Sequence, residues 1–246
     1  MEDLLYQIFS DIPRQGPGSR FSTLQAARLI TDVPEEPVIL DLGCGTGAQT
    51  LVVASHFGGK VYAVDNFKPY LQILELNAIK FGLNETIVCR PGDMFNLDFP
   101  ENYFDIIWAE GSVYILGFAN GLKSLKPHLK TGGYVAATEI SWLREDIPDD
   151  LAAFWEIEYP DMKTLASNLK TVAASGYQLV DYFALPPTAW WDEFYTPLEK
   201  RLVKLRQQFD DDDEALELIE LTQLEIDLYR KYPDYYSYIF YILRKN

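Results

Sequence analysis

A glycine-rich heptapeptide, Asp-Leu-Gly-Cys-Gly-Thr-Gly, occupies residues 41–47 of this chain. A short apolar run at residues 38–40 precedes it, and a segment of helical composition begins at Ala48. This order predicts a strand, a tight turn and a helix. Free backbone N–H groups and the positive end of the helix would then face a polar ligand, and glycines without a Cβ atom would let that ligand approach closely. The heptapeptide therefore predicts a cofactor-binding turn.

Strand-like and helix-like patterns alternate along most of the chain. Near-continuous apolar runs such as residues 104–109 are typical of parallel strands that helices cover on both faces. The predicted strands are residues 38–40, 61–65, 86–90, 104–109, 134–138, 177–184 and 236–243. Helices are predicted between them, for example at residues 48–57 and 119–129. The alternation predicts a doubly wound α/β sheet.

Three segments lie outside this alternation and are predicted to form caps over the sheet. The whole chain, residues 1–246, is predicted to be a single domain built from six successive parts. They are an N-terminal helical lid (1–33), a cofactor-binding core (34–140), a cap insertion (141–163), a core helix with the sixth strand (164–186), a two-helix cap insertion (187–234) and the last strand (235–246). Within the lid, the loop at residues 14–19 is predicted either to close over the cofactor or to form an ordinary interhelical turn.

Polar residues finish several of the predicted strands. In an open parallel sheet, ligands bind beyond the carboxyl ends of the strands, so these residues should face the ligand. Asp65 lies 20 residues after Gly45, and Asn66 follows it directly. An acid at this separation from a glycine turn can accept hydrogen bonds from both hydroxyls of an adenosine ribose. Asp65 is therefore the predicted ribose-binding residue.

The heptapeptide resembles the first motif of the class I S-adenosylmethionine-dependent methyltransferases, whose usual form is (D/E)xGxGxG. The fold of that family has a seven-stranded sheet with an antiparallel, inserted last strand, and the order of predicted elements is similar to it over most of the chain. The resemblance implies an α/β, doubly wound, seven-stranded and mostly parallel sheet with an antiparallel last strand and helical cap insertions. It also implies S-adenosyl-L-methionine as the cofactor and S-adenosyl-L-homocysteine as its product.

The same resemblance assigns cofactor contacts to residues near the carboxyl ends of the first four strands. Asp93 resembles the acid that receives the adenine amino group, and Met94 would lie against the ring, although a turn-capping role for Asp93 stays open. Asp41 is expected to support the glycine turn and the methionine amino end. The predicted cofactor-binding residues are Asp41, Gly43, Cys44, Gly45, Gly47, Asp65, Asn66, Asp93, Met94 and Glu110.

Glu110 and Glu139 are the predicted catalytic residues, because both follow apolar strands and should face the cleft. Trp142 comes three residues after Glu139. Carboxylates near aromatic faces suit a protonatable amine, since the acids accept a proton and the rings attract a cation. Among small-molecule acceptors these residues therefore favour an amine methylated on nitrogen, and oxygen and carbon nucleophiles stay open. Two plainer roles stay open: Glu110 binds only the cofactor amino group, or Glu139 caps the segment that follows it.

Composition limits the partners and the location. The 21 Lys and Arg residues against 37 Asp and Glu residues give a formal charge of −16, which disfavours nucleic acid as a partner. No apolar run approaches a membrane span, and the first residues lack a basic start followed by an apolar core. We expect a cytoplasmic protein without a membrane partner, as a monomer or a homodimer. With two cysteines and two histidines, no metal site is expected.

Two other functions stay open. An NAD(P)-dependent oxidoreductase is one, because the glycine turn and Ala48 together also satisfy GxGxxA. A Tyr-x-x-x-Lys pattern at Tyr159 and Lys163 fits a short-chain reductase, but Pro160 opposes a helix through both residues. The other is a non-catalytic regulatory protein that binds S-adenosylmethionine.

Overall fold

A mostly parallel sheet runs through the centre of the computed structural model, which describes residues 2–246. Its strands within that range are β1 (Val38–Leu42), β2 (Lys60–Asp65), β3 (Ile87–Pro91), β4 (Phe104–Ala109), β5 (Leu129–Trp142), β6 (Lys163–Thr164), β7 (Tyr177–Ala184) and β8 (Tyr236–Lys245). The order across the sheet is β3-β2-β1-β4-β5-β8-β7, and β6 pairs with the end of β5. The order reverses between β1 and β4, which is where open α/β sheets bind ligands.

The last strand, β8, is antiparallel to both of its neighbours. It pairs with β5 from Tyr134 opposite Arg244 to Trp142 opposite Tyr236, and with β7 on its other side. Both faces of β8 are buried, as its apolar residues on both parities predict. The predicted doubly wound fold with an antiparallel last strand is confirmed. The structure adds the two-residue β6, which is parallel to the end of β5.

Helices cover both faces of this sheet. In order, the α-helices of the described range are α1 (Glu2–Ile8), α2 (Arg20–Arg28), α3 (Ala48–Phe57), α4 (Lys68–Lys80), α5 (Phe118–Leu125), α6 (Asp149–Glu158), α7 (Leu165–Ala174), α8 (Pro187–Trp190), α9 (Thr196–Gln208) and α10 (Asp213–Lys231). Residues of α2, α3 and α4 pack on one face in a core that contains Trp108 and Phe240. Residues of α5 and α7 pack on the other face, around Ile107 and Tyr241.

A third apolar core joins α6, α9 and α10 above the carboxyl edge of the sheet. Aromatic side chains form its centre, with Trp190 stacked on Tyr229 at 4.4 Å between ring centroids and Tyr195 packed beside them. The acidic run before α10 caps this helix, because the Asp212 carboxylate accepts the Ala215 N–H at 3.0 Å. We call these helices, together with α8 and the π-helical segment Trp191–Tyr195 that joins α8 to α9, the cap. Between Glu2 and Asn246, no helix is long and apolar enough to cross a membrane.

Candidate functional site

The glycine turn between β1 and α3 has the conformation that its sequence predicts. Gly43, Gly45 and Gly47 all have positive φ angles, which side chains disfavour. A Cβ atom on Gly43 would lie 2.5 Å from Cβ of Ser112, and one on Gly47 would lie 2.1 Å from the Leu74 side chain. The turn therefore needs glycine for its backbone angles and for the close approach of its neighbours.

Asp65 closes this turn from the end of β2. One carboxylate oxygen accepts the Gly45 N–H at 2.9 Å, and the other accepts the Phe67 N–H at 2.9 Å. Burial raises the pKa of Asp65, and these backbone hydrogen bonds oppose the rise. Asn66 accepts a hydrogen bond from the Tyr6 hydroxyl at 3.1 Å. Asp65 and Asn66 both line the main cavity, so their predicted ligand contacts are geometrically accessible.

Asp41 lies behind the turn and does not line the main cavity. Its side chain is fully buried and accepts hydrogen bonds from the Thr50 hydroxyl at 2.6 Å and the Gln49 amide at 3.5 Å. Burial raises the pKa of Asp41 to about 7. These contacts tie the end of β1 to the first turn of α3, which agrees with support of the turn. Cys44 is also buried, and burial raises the pKa of its thiol.

Glu110, at the end of β4, is engaged by protein groups on both oxygens. Arg14 donates to Oε1 at 2.9 Å, Trp108 donates its indole N–H to Oε2 at 3.0 Å, and the Thr23 hydroxyl lies 3.0 Å from Oε2. The side chains of Arg14 and Glu110 are 4% and 1% exposed. Arg14 also contacts Glu193 in the cap at 3.0 Å. Both oxygens of Glu110 are thus occupied by protein groups that fix its orientation, and its predicted catalytic role stays a prediction.

The segment at residues 14–18 lies over the glycine turn. The Gln15 side-chain oxygen accepts both the backbone N–H and the hydroxyl of Thr46 at 2.9 Å. The Gly18 N–H donates to the Ala189 carbonyl at 2.9 Å, which joins the segment to the cap. The loop therefore packs against both the glycine turn and the cap, and its closure over a bound cofactor stays a prediction.

Asp93 and Met94 follow β3 and line the same cavity. The Asp93 carboxylate accepts the Phe95 N–H at 2.9 Å, so it also caps its own turn. Its exposed position leaves the carboxylate accessible to a ligand. Met94 reaches toward the glycine turn, where its Cε would lie 3.7 Å from a Cβ on Gly43. Both residues are therefore placed as the adenine-end prediction requires, while that role stays a prediction.

The main cavity extends from the glycine turn into the cap and has a volume of about 480 Å³. At one end it is lined by Gly43, Gly45 and Asp65, and at the other end by Trp155 and Trp190 of the cap. A volume of this size is typical of small-molecule sites. The cavity thus joins the predicted cofactor turn to an aromatic compartment.

Glu139 reaches the cavity through Tyr159. The Tyr159 hydroxyl, whose residue lines the cavity, donates to Oε1 of Glu139 at 2.8 Å. Oε2 of Glu139 is buried and has no hydrogen-bond partner among the described residues. Burial raises the pKa of Glu139 to about 8, opposed by the Tyr159 hydrogen bond and the charge of Lys163. Tyr159 follows the end of α6 and Lys163 begins β6, so the two do not share a helix and the reductase pattern has no structural counterpart here.

The sequence did not identify several residues that line the cavity. Ser112 donates its hydroxyl to the Leu42 carbonyl at 2.5 Å and packs against Gly43, but a serine after a strand is too common to signal this role. Glu225 carried a usable signal, because it lies at helical spacing between Thr222 and Tyr229 on the buried side of α10. A carboxylate on an otherwise buried stripe is a candidate functional group.

The fold and the site define a class of protein. A parallel sheet that reverses its order beside β1, a glycine turn after β1 and a carboxylate at the end of β2 form a Rossmann-like α/β protein with its ligand cavity at the carboxyl edge. Residues 39–133 match the family model described as a methyltransferase domain. The match runs from β1 into β5, the part of the chain that contains the glycine turn and Asp65.

Known proteins resemble the chain beyond this domain match. A sterol 24-C-methyltransferase of Gibberella zeae is 28% identical over 160 residues, which are 61% of this chain and 42% of the relative. Phosphoethanolamine N-methyltransferase 1 of Zea mays is 24% identical over 180 residues, which are 70% of this chain and 33% of the relative. The chain thus spans less than half of the length of either relative. The first relative is named for methylation of a carbon and the second for methylation of a nitrogen, so these similarities do not identify the acceptor atom.

Among solved structures, a S-adenosylmethionine-dependent methyltransferase from Geobacter sulfurreducens in complex with S-adenosyl-L-homocysteine superposes with a TM-score of 0.85. It is 18% identical, and the alignment covers 100% of this chain and 99% of that one. At this identity the likeness concerns the fold, and it includes the cap helices as well as the sheet. The predicted fold class is therefore confirmed over the whole chain.

Proposed function

We propose that the protein binds S-adenosyl-L-methionine at the glycine turn and transfers its methyl group to a small molecule held in the cap. The observation that carries the proposal is one continuous cavity, lined at one end by the glycine turn and Asp65 and at the other by cap residues. An adenosyl ligand fits the first end, because glycines leave room for it and Asp65 offers carboxylate oxygens to ribose hydroxyls. The domain match to methyltransferases supports the same assignment.

When bound, this cofactor supplies a methyl group on a sulfonium, which an acceptor lone pair takes as the S–C bond breaks to leave a neutral thioether. The protein's own contribution is to orient the two ligands and to exclude water from the cavity. The loop at residues 14–18 closes the cofactor end, since Gln15 contacts Thr46 and Gly18 contacts the cap. The buried Arg14 and Glu110 side chains fix this loop against β4.

We further propose that the acceptor is methylated on nitrogen and that Tyr159 and Glu139 take the proton that an ammonium must lose first. The amine proton passes to the Tyr159 oxygen while the Tyr159 proton moves to Glu139 Oε1, 2.8 Å away. The neutral amine then donates its lone pair and becomes a cation as the new N–C bond forms. Glu139 is the better proton acceptor of the two predicted catalytic acids, because no basic side chain contacts its carboxylate.

Ligand-induced thermal stabilisation tests the cofactor assignment. S-adenosyl-L-homocysteine should raise the melting temperature, and NADH should leave it unchanged; stabilisation by NADH alone would point to the oxidoreductase instead. Methyl transfer is then tested by release of S-adenosyl-L-homocysteine with a panel of amines, alcohols and carboxylates. Cofactor binding without turnover of any acceptor would favour the non-catalytic, regulatory alternative.

A further inference from the structure

The walls of the cavity carry negative groups and aromatic rings but no positive side chain. Among the described residues that line it there is no lysine, arginine or histidine. Its four carboxylates are Asp65, Asp93, Glu158 and Glu225. The first two belong to the cofactor end, whereas Glu158 ends α6 and Glu225 lies in α10, both in the cap. The cap therefore adds negative charge that the cofactor assignment does not use.

One carboxylate oxygen of Glu225 accepts a hydrogen bond from the protein, and the other is available to a ligand. The Tyr195 hydroxyl donates to its Oε1 at 2.6 Å, and no basic group in residues 2–246 forms an ion pair with it. Burial raises the pKa of Glu225, and the nearby charge of Glu158 raises it further. A half-buried carboxylate without a cation costs stability unless a ligand supplies one. Because Glu225 lines the cavity, a cationic ligand bound there would supply the missing positive charge.

Aromatic rings line the same end of the cavity as these two carboxylates. Trp155, Tyr159, Trp190 and Tyr238 line the cap end of the cavity together with Glu225. Trp190 stacks on Tyr229 at 4.4 Å and on Tyr238 at 5.5 Å, so its faces are covered, and Trp155 and Tyr159 are the rings left to contact a ligand. Ring faces attract cations most strongly where water is excluded. Carboxylates and aromatic faces in one compartment therefore select for positive charge by two independent interactions.

We infer that the cap end of the cavity is a recognition site for an organic cation, an ammonium group on an apolar body, with Glu225 and Glu158 as its counter-charges. This inference rests on the proposed function, because it names the substrate class of the same cavity. Glu225 is assigned as a specificity-determining residue that contacts the cation directly. Glu158 is exposed and marks the mouth, so it attracts the cation from solvent more weakly.

One consequence concerns anionic acceptors. A phosphate or carboxylate on the acceptor would need basic side chains or free backbone N–H groups in the cap, and the lining offers no basic residue. It would also lie beside two uncompensated carboxylates. We therefore expect the cavity to bind phosphorylated amines poorly, although one relative is named for phosphoethanolamine. Similarity to that relative does not carry its acceptor over to this chain.

Three probes of similar size test the inference by equilibrium binding to the wild-type protein saturated with S-adenosyl-L-homocysteine. They are the cation phenethylammonium, the neutral 2-phenylethanol and the anion phenylacetate. Isothermal titration calorimetry should give phenethylammonium roughly tenfold tighter binding than 2-phenylethanol, and no binding of phenylacetate. Equal binding of cation and alcohol, tighter binding of the anion, or no saturable binding of phenethylammonium at millimolar concentration would each overturn the inference.

Three Glu→Gln variants then locate the charge. Glu225→Gln keeps an acceptor for the Tyr195 hydroxyl and should remove most of the preference for the cation over the alcohol. Glu217→Gln makes the same change at an exposed position of α10 outside the cavity and should leave the preference intact. Glu158→Gln should have an intermediate effect. An unchanged preference in Glu225→Gln would remove Glu225 from the site.

The two levels of the proposal fail in different ways. If S-adenosyl-L-homocysteine does not stabilise the wild-type protein, the proposed function fails before any probe is compared. If it stabilises wild type and Glu225→Gln alike but the cation is not preferred by wild type, only the charge assignment fails. The wild-type ranking of the three probes is decisive even if Glu225→Gln does not fold.

Discussion

Arg14 and Glu110 form a buried ion pair with 2.9 Å between Nη1 and Oε1, although 96 residues separate them in the chain. The pair joins the loop over the glycine turn to the end of β4. Arg14 also reaches Glu193 in the cap, so one guanidinium links the lid, the sheet and the cap. Both partners are almost fully desolvated, and further donors from Thr23 and Trp108 satisfy the carboxylate. The pair thus fixes the closed form of the loop.

Replacing Arg14 should be costly because it leaves Glu110 charged, buried and without a cation. Arg14→Met is expected to lower the free energy of unfolding by about 3 to 5 kcal/mol in chemical denaturation. Arg206→Met is the matched control, since its pair with Glu220 is more exposed and should contribute under about 1 kcal/mol. Similar losses for the two variants would mean that the buried pair does not fix the loop.

Alanine at Gly43 should be far more harmful than alanine at Gly82. The two glycines have φ angles of 71° and 70°, so both lie in the left-handed region that a Cβ atom disfavours. At Gly43 the new Cβ would also lie 2.5 Å from Cβ of Ser112, whereas nothing lies within 4 Å at Gly82. We expect Gly82→Ala to cost about 1 to 2 kcal/mol and Gly43→Ala clearly more, with loss of S-adenosyl-L-homocysteine binding. Equal unfolding free energies would contradict the close packing of the turn.

Asp65→Asn should weaken cofactor binding while the fold persists. The variant replaces a carboxylate oxygen that accepts from Gly45 or Phe67 with an amide N–H that cannot accept. It also removes the charge offered to the ribose. Affinity for S-adenosyl-L-homocysteine, measured by calorimetry, is expected to fall roughly ten- to hundredfold. Asp98→Asn, an exposed acid in the loop after β3, should bind as wild type does. Unchanged affinity in Asp65→Asn would remove Asp65 from the ribose role.

The elements with local signals were predictable from the sequence. The glycine turn, the carboxylate at the end of β2 and the buried last strand each follow from a short pattern, and the structure has all three. These three features were predictable because each depends on local properties of the chain. Backbone angles, strand ends and apolar periodicity are properties of a few consecutive residues.

The partners of the site residues were not predictable, because they depend on contacts between distant segments. Glu110 follows an apolar strand just as Glu139 does, and no residue near it in the sequence indicates that Arg14 pairs with it. The sequence therefore indicated both acids as catalytic candidates. In the structure Glu110 pairs with Arg14, whereas the Glu139 carboxylate accepts a hydrogen bond from the Tyr159 hydroxyl. Burial and pairing, rather than position at a strand end, separate the two acids.

Glu139 should impose a pH dependence on methyl transfer. With a pKa of about 8, its carboxylate is mostly protonated at neutral pH and accepts a proton only when ionised. The groups that face it are Tyr159, Lys163 and Asp161. The rate of S-adenosyl-L-homocysteine release should therefore rise with pH to a plateau above about 8 and lose this dependence in Glu139→Gln. A Glu139→Gln enzyme with the wild-type rate and profile would exclude the proton-acceptor role.

The same variant should be more stable than wild type at high pH. The folded-state pKa of Glu139, about 8, lies above the ordinary value of 4.5, so the folded protein binds more protons than the unfolded chain between these values. Wild-type stability must then fall as pH rises through that window, and the penalty is complete above pH 8. Glu139→Gln removes it, so its advantage in unfolding free energy should grow from pH 5 to pH 9 by an amount on the order of a few kcal/mol. Asp41 has the same sign but is present in both proteins, so its effect cancels in the difference. Glu101→Gln is an exposed control, and its difference in unfolding free energy from wild type should not change with pH. A difference for Glu139→Gln that is equally independent of pH would mean that the ionised Glu139 carboxylate is not buried.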